Sequence, residues 1–153
     1  MYKRILVPLD GSDTAAMGLR EAIGLARDSQ GTLCLLHVID TFPMLVEWTS
    51  TASFEQMVQD LRRYGEGLLD KAAAQAREQG VATESTVLEL VNERVSTAIV
   101  DQAAKSGCDL IVMGTHGRKG FSHLVLGSAA EGVIREAGVP VLLVRPPKAA
   151  PAA

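Results

Sequence analysis

The sequence predicts an α/β fold in which an open five-stranded parallel sheet of order 3-2-1-4-5 is doubly wound, with helices on both faces. Short runs of leucine and β-branched residues alternate with longer stretches in which apolar residues recur every three or four positions, as in repeated βαβ units. The chain has 153 residues, of which 47% are hydrophobic, enough for one core without disulfides or metal. We therefore expect one domain over residues 1–146 and a disordered tail over residues 147–153.

In the first part of the chain, the pattern predicts a strand, a helix and a second strand. Residues 3–9 are apolar at nearly consecutive positions, which is typical of a central parallel strand. Ser12 is the expected N-cap of the first helix, which has one apolar stripe and ends before Gly31. Residues 32–39 form the second strand. Residues 40–51 have no clear period, which predicts a long loop or lid.

The middle of the chain predicts the longest helix and an edge strand. Residues 52–79 keep the helical spacing of apolar positions, and Gly80 supplies a C-terminal stop. Residues 83–90 alternate in polarity and carry more charge than the other strands, which indicates a sheet edge. Asn92 is the expected N-cap of the next helix, which continues until Gly107.

The last part predicts a strand over residues 108–113, a glycine-rich loop, a helix over residues 128–137 and a strand over residues 140–145. In a sheet of this order the winding reverses between the first and fourth strands, and ligands bind at the carboxyl ends of the strands there. The turn at residues 8–12 would then lie opposite the loop that begins at Gly114. The predicted ligand crevice lies between them.

Composition excludes several classes of function. The net charge is −3, from 15 Lys and Arg against 18 Asp and Glu, and aromatic residues make up 4% of the chain, so no nucleic-acid partner is expected. No apolar run approaches the roughly 18 residues of a spanning helix, so we expect no membrane insertion and a cytoplasmic protein. Cys34 and Cys108 are too few for a disulfide framework and predict two buried thiols in a reducing compartment.

Two glycine-rich turns mark the predicted crevice, one over residues 114–120 and one at Gly127-Ser128, where a helix opens. Glycine turns and helix N-termini present backbone N–H groups to anions such as phosphate. The chain contains neither G-x-G-x-x-G nor G-x-x-x-x-G-K-[ST], which disfavours a dinucleotide-binding fold and a P-loop NTPase. On spacing alone, ordinary strand-exit and helix-entry turns remain an alternative.

Four segments together resemble the universal stress protein family: ILVPLDGS at residues 5–12, LLHV at residues 35–38, Gly114-x2-Gly117-x9-Gly127-Ser128, and PVLLVR at residues 140–145. The resemblance covers nearly the whole chain, and the glycine pattern looks like the family's ATP-binding signature without a departure. It implies an adenine nucleotide alpha-hydrolase-like fold. It also implies a regulatory or stress-response protein that binds ATP, with Mg²⁺, in the crevice.

The resemblance also assigns expected roles to single residues. The turn after the first strand and the end of the second would line the adenosine, and the glycine turns would hold the phosphates. Asp10 would contact the ribose or help to orient Mg²⁺, as a carboxylate suits a hard cation. The implied ATP-binding residues are Pro8, Leu9, Asp10, Val38, Met113, Gly114, Gly117, Gly127, Ser128 and Ala129.

Assembly is the last property that the resemblance implies. The last strand is apolar without alternation although it is predicted to lie at a sheet edge, and such an edge is covered or paired in stable proteins. The family resemblance implies a homodimer formed through this strand. Its residues are Val141, Leu142, Leu143 and Val144.

The sequence is also compatible with alternative functions. One is a structural adaptor of the same fold with an empty crevice, and another is a slow ATPase, although no recognisable catalytic set accompanies the loop. A flavodoxin-like electron carrier is disfavoured by the shortage of aromatic residues. His116 and His123 have no cluster of further ligands for a metal, and phosphate contact is the favoured hypothesis for His116.

Overall fold

The computed structural model describes residues 1–41, 51–116 and 126–147 of the chain. The predicted lid therefore falls largely outside the described residues, as do Gly117, His123 and the tail beyond residue 147. Among the helices of the described residues, none is both long enough and apolar enough to cross a membrane.

Five parallel strands form one sheet, and their order 3-2-1-4-5 confirms the predicted topology. The first strand is central, between the second and the fourth, and its carboxyl end lies where the winding reverses. The strands are β1 (Arg4–Pro8), β2 (Thr32–Asp40), β3 (Ala82–Leu90), β4 (Leu110–Gly114) and β5 (Val141–Val144).

Helices cover both faces of the sheet, as predicted. Alternate residues of the strands point to opposite faces, so Ile5 packs with the first two helices and Leu6 packs with the last two. The last two helices cross closely, and the Ser96 side chain leaves no space for a Cβ at Gly132. The described helices are α1 (Asp13–Ser29), α2 (Thr51–Glu78), α3 (Val95–Lys105) and α4 (Ser128–Glu136).

The helix ends agree with the sequence at α1 and differ at α3. Ser12 caps α1, and its hydroxyl oxygen accepts a hydrogen bond from the Ala15 amide at 3.2 Å. The predicted cap at Asn92 is wrong. The N-cap of α3 is Arg94, whose side chain makes no capping hydrogen bond, because an exposed turn over residues 91–93 separates the end of β3 from the helix.

The two edges of the sheet differ in chemistry. On β3, confirmed as an edge strand, Glu84 and Glu89 form ion pairs with Arg4 and Arg62. The opposite edge is β5, where the Leu142 side chain is 36% exposed. One edge therefore carries paired charges and the other presents apolar side chains.

Candidate functional site

A small apolar cavity lies at the carboxyl ends of β1 and β4, at the point where the sheet changes its winding. Its volume is about 100 Å³. Open α/β sheets bind ligands at this topological position. Its apolar wall is formed by Leu9, Leu36, Val38, Val95, Ile99 and Met113, together with alanines from α1 and α4.

The floor of the cavity is held in place by the backbone of Leu9. Its amide donates to the Leu36 carbonyl at 2.8 Å, and its carbonyl lies 2.7 Å from His37 Nδ1. Because a carbonyl oxygen only accepts, Nδ1 carries the proton in this contact. The His37 ring meets Tyr64 edge-on at 6.0 Å, and it leaves no space for a Cβ at Gly65. His37 is therefore a buried support of the β1 exit.

The turn after β1 is built around Asp10. Its Oδ1 accepts a hydrogen bond from the Ser12 amide at 2.9 Å, which closes an Asx turn before α1. Gly11 has φ +85°, a backbone conformation that favours glycine. The half-buried Asp10 side chain lines the cavity, so a carboxylate lies at its polar rim.

The exit of β4 is tied to α1 and to the start of α4. The Thr14 hydroxyl donates a short hydrogen bond to the His116 carbonyl. Thr115 is buried, and its amide donates to the Val144 carbonyl at 3.1 Å. The Thr115 carbonyl accepts from the Gly127 amide at 2.8 Å. This last contact brings the two ends of the glycine-rich loop together beside the cavity.

The N-terminus of α4 lies next to this junction. Gly127 is its N-cap, in an extended conformation with φ −62° and ψ 153°, and among the described residues no side chain makes a capping hydrogen bond to the helix. The first amides of a helix have no partner within it and carry the positive end of the helix dipole. The amides of Ser128 and Ala129 occupy these positions, so the helix start is suited to an anion. The Gly127 amide is already bonded to Thr115.

His116 contributes a buried polar group to the cavity wall. Its Nδ1 lies 2.9 Å from the Thr115 hydroxyl. Its Nε2 is buried and has no hydrogen-bond partner among the described residues. When the Thr115 hydroxyl donates to Nδ1, the ring proton lies on Nε2. Burying a hydrogen-bond donor without a partner costs free energy. A ligand oxygen that accepts a hydrogen bond from this donor would remove that cost.

Most of the predicted site residues meet at this cavity. Those lining it are Pro8, Leu9, Asp10, Val38, Met113, Gly114 and Ala129. Ser128 lies in an adjoining open groove of about 670 Å³ between α3 and α4, which also includes Ala129. Gly127 caps α4 beside the cavity, and Gly117 lies outside the described residues.

Sequence reasoning missed several lining residues. Val95 and Ile99 of α3 form part of the apolar wall, although their helical spacing indicates only that they face inward. Ala15, Leu36, Thr115 and Ala130 were also missed. His116, which the sequence indicates for phosphate contact because it lies in the glycine-rich loop, does line the cavity.

The described residues hold no cluster of three or more histidine, cysteine or acidic side chains arranged for a metal ion. Asp10 is the acidic residue of the cavity wall, and one of its oxygens is engaged by Ser12. A metal ion here would therefore need most of its ligands from a bound anion and water.

Comparison with known proteins gives a consistent result over nearly the full length. The family model described as the universal stress protein family matches residues 1–145. A universal stress protein of Methanocaldococcus jannaschii is 37% identical over 148 residues, which cover 97% of this chain and 85% of that protein.

Solved structures share the same fold. A protein from the universal stress protein family of Burkholderia pseudomallei is 35% identical with a TM-score of 0.76, over 94% of this chain and 96% of that one. A universal stress protein from Archaeoglobus fulgidus, solved in complex with dAMP, is 26% identical with a TM-score of 0.66, over 94% and 98% of the two chains.

Proposed function

The chain belongs to the universal stress protein family, and on this basis we propose that it binds ATP, with Mg²⁺, in the crevice between β1 and β4. The protein then acts as a homodimeric regulatory or stress-response protein. Its nucleotide state alters its own surface or its affinity for a partner.

The apolar cavity supports recognition of the adenine base. Its walls come from Leu36 and Val38 of β2 on one side and Val95 and Ile99 of α3 on another. Small-molecule sites are mostly apolar with a few placed polar groups. The structure of the Archaeoglobus fulgidus relative with dAMP supports an adenine nucleotide as the ligand class.

The observation that carries the proposal is His116 Nε2, which is buried without a hydrogen-bond partner among the described residues. It lies in the cavity wall close to the start of α4. When Nε2 carries the ring proton, a nucleotide would offer ribose or phosphate oxygens to it, and the amides at the start of α4, which have no partner within the helix, would bind phosphate. The residues proposed to hold the nucleotide are the ten that the family resemblance implies, with His116 added.

Mg²⁺ fits this arrangement as a companion of the phosphates. The cation usually keeps several waters and is held by one or two carboxylates plus substrate phosphates. Asp10 offers one carboxylate oxygen beyond the one that accepts from Ser12. Bound Mg²⁺ would offset the charge repulsion between this carboxylate and the phosphates.

The proposed dimer interface is β5. The carbonyls of Pro140 and Val144 accept hydrogen bonds from Ile111 and Thr115 on the β4 side. Because backbone groups alternate sides along a strand, the amides of Val141 and Leu143 face away from the sheet. Pairing with a second copy would satisfy these groups and cover Leu142.

The test is a calorimetric titration of the purified full-length chain with ATP, AMP and adenosine, with and without Mg²⁺. We expect ATP to bind more tightly than AMP, and AMP more tightly than adenosine. Equal affinities for all three would contradict the phosphate site. Mass spectrometry of any small molecule released on denaturation separates a nucleotide-binding protein from an adaptor with an empty crevice.

A matched pair of variants tests the role of His116 Nε2 in nucleotide binding. His116→Phe removes the Nε2 donor and keeps a ring of similar size, whereas His116→Gln keeps a donor. We expect about a tenfold loss of ATP affinity in the first variant, which corresponds to roughly 1.4 kcal/mol, and a smaller loss in the second. Unchanged affinity in His116→Phe would remove this residue from the site. Phosphate release measured in the same samples distinguishes binding from slow hydrolysis.

A further inference from the structure

The Arg4 guanidinium contacts three separate segments near the amino-terminal ends of the strands. The crevice lies at the opposite ends of the strands. Its Nε donates to the Ser106 carbonyl at 2.7 Å, and its Nη1 and Nη2 donate to the Glu84 carboxylate at 3.2 Å and 2.6 Å. Nη2 also donates to the Cys34 sulfur at 3.4 Å. The guanidinium is therefore fixed with one N–H group directed at a thiol.

Glu84 approaches the same sulfur from the neighbouring strand. Cys34 and Glu84 are direct partners in the β2–β3 ladder, so their side chains project from the same face. The Cys34 sulfur lies 4.0 Å from Glu84 Oε2, to which its S–H is directed. The thiol thus lies between a cation that stabilises a thiolate and a carboxylate that can accept its proton.

The two cysteines of the chain are inequivalent, although both belong to one apolar cluster and both are 5% exposed. A hydrogen bond from Cys108 and the charge of Arg4 lower the pKa of Cys34, against the opposing effects of burial, Glu84 and Asp109. The bond with Cys34, together with burial, raises the pKa of Cys108. Cys34 is the thiol that the Arg4 guanidinium contacts directly, and the nearby positive charge favours its ionisation.

Two surface side chains cover the Cys34 sulfur. The Arg4 side chain is 34% exposed, and the Glu84 side chain is 58% exposed. Exposed ion pairs of this kind contribute little to stability, so the Glu84 carboxylate can move away while Arg4 keeps its hydrogen bond to the Ser106 carbonyl. The Cys34 sulfur therefore lies directly beneath a weak surface ion pair.

We propose that Cys34 is a reactive thiol whose reagents are small hydroperoxides. The thiolate sulfur attacks a peroxide oxygen, so that an S–O bond forms as the O–O bond breaks. Sulfur is oxidised to a sulfenic acid, and the peroxide is reduced to water or an alcohol after its leaving oxygen takes up the proton that the thiol released. Arg4 is the positioning residue that favours the thiolate. The site is independent of the proposed nucleotide crevice.

The test measures modification of the folded full-length protein by iodoacetamide, and by hydrogen peroxide with dimedone as the sulfenic acid trap, with the modified peptide identified by mass spectrometry. We expect Cys34 to be alkylated at pH 7 at least about tenfold faster than Cys108. Dimedone should label Cys34 after peroxide treatment and should label nothing in Cys34→Ser. Modification of Cys34 only after denaturation, monitored by circular dichroism, would overturn the proposal.

Arg4→Gln and Glu84→Gln form a matched pair, because each breaks the same ion pair while their effects on a thiolate are opposite. We expect Arg4→Gln to slow alkylation at pH 7 by about tenfold, because loss of the positive charge lowers the thiolate fraction, and to move the rate–pH profile to higher pH. We expect Glu84→Gln to accelerate it. Acceleration in both variants would show that the pair is only a cover and would overturn the role of Arg4.

Discussion

Gly114 and Thr14 are in such close contact that a Cβ added to Gly114 would lie 2.8 Å from the Thr14 carbonyl carbon. The Thr14 hydroxyl also donates to the carbonyl of His116, two residues further along the chain. The first turn of α1 therefore fixes the exit of β4 by close packing and by a hydrogen bond. Gly114 has a structural reason to be glycine that is independent of any ligand.

Gly114→Ala should destabilise the fold by about 1–3 kcal/mol, because the methyl group meets backbone atoms that cannot move without displacing α1. Urea unfolding monitored by circular dichroism measures the change. Gly67→Ala is the control, since a Cβ at this exposed position of α2 meets no atom within 4 Å. It should stabilise the protein by about 0.5–1 kcal/mol. Equal stabilities of the two variants would contradict the packing argument.

Gly127→Val should leave the fold largely intact and reduce ATP affinity by more than about tenfold. Gly127 has an extended backbone that other residues adopt, so the expected loss comes from the side chain blocking the approach of phosphate to the start of α4. Calorimetric titration measures the affinity.

Gly127→Ser is the companion variant, because serine is a favoured N-cap residue. It should raise the stability of the protein by only a few tenths of a kcal/mol and weaken ATP binding, since its hydroxyl competes for the same amides. Unchanged ATP affinity in both variants would show that phosphate does not lie at the start of α4. The corresponding prediction for Gly117→Val, loss of ATP binding with the fold retained, stays a prediction from the sequence.

Leu142→Lys should convert the proposed dimer to a monomer, because a charge on an edge strand opposes pairing with a second copy. Leu142 is 36% exposed on β5, and Val91, at the far side of the sheet, is 62% exposed. Val91→Lys is therefore the control and should remain dimeric. Size exclusion coupled to light scattering measures the mass. A wild-type monomer at micromolar concentration would rule out the interface.

The Arg4–Glu84 pair should make stability depend on acid pH. The hydrogen bond and charge of Arg4 lower the pKa of Glu84 in the folded state. The pair's contribution is then present above the unfolded-state pKa and is lost as pH falls through the folded value. Between about pH 5 and pH 3, the stability difference between wild type and Glu84→Gln should shrink towards zero. The effect is small because both groups are exposed, and urea midpoints across this range measure it.

Much of the fold was predictable because its signals are local. The Ser12 cap depends on a hydroxyl and an amide three residues away, and the strands were evident as consecutive apolar runs. Asn92 was wrong as a cap because the start of α3 depends on how the turn after β3 packs, which places Arg94 at the N-cap. Cap residues in sequence indicate a helix start only to within a few residues.

The site was predictable where topology determines it. Parallel strands bring their carboxyl ends to one edge, so Asp10 and Gly114 were expected to lie together. Val95 and Ile99 could not be assigned to the crevice, because helical periodicity identifies an inward face and does not say which inward residue reaches a cavity. The position of His116 Nε2, which has no partner in the described part of the chain, depends on the contact of Nδ1 with Thr115, a side-chain geometry that no spacing in the sequence encodes.

In the proposed dimer, the difference between the two sheet edges limits how far self-association can proceed. Glutamates on β3 oppose the addition of another strand there, whereas β5 presents apolar side chains and outward-facing amides. When two copies pair through β5, the apolar edge of each sheet is buried in the interface. The outer edges of the joined sheet are then the two β3 strands, and both carry charged side chains. Such a dimer has no apolar edge left to which a third copy could add. Raising the protein concentration should therefore increase the fraction of dimer without producing filaments.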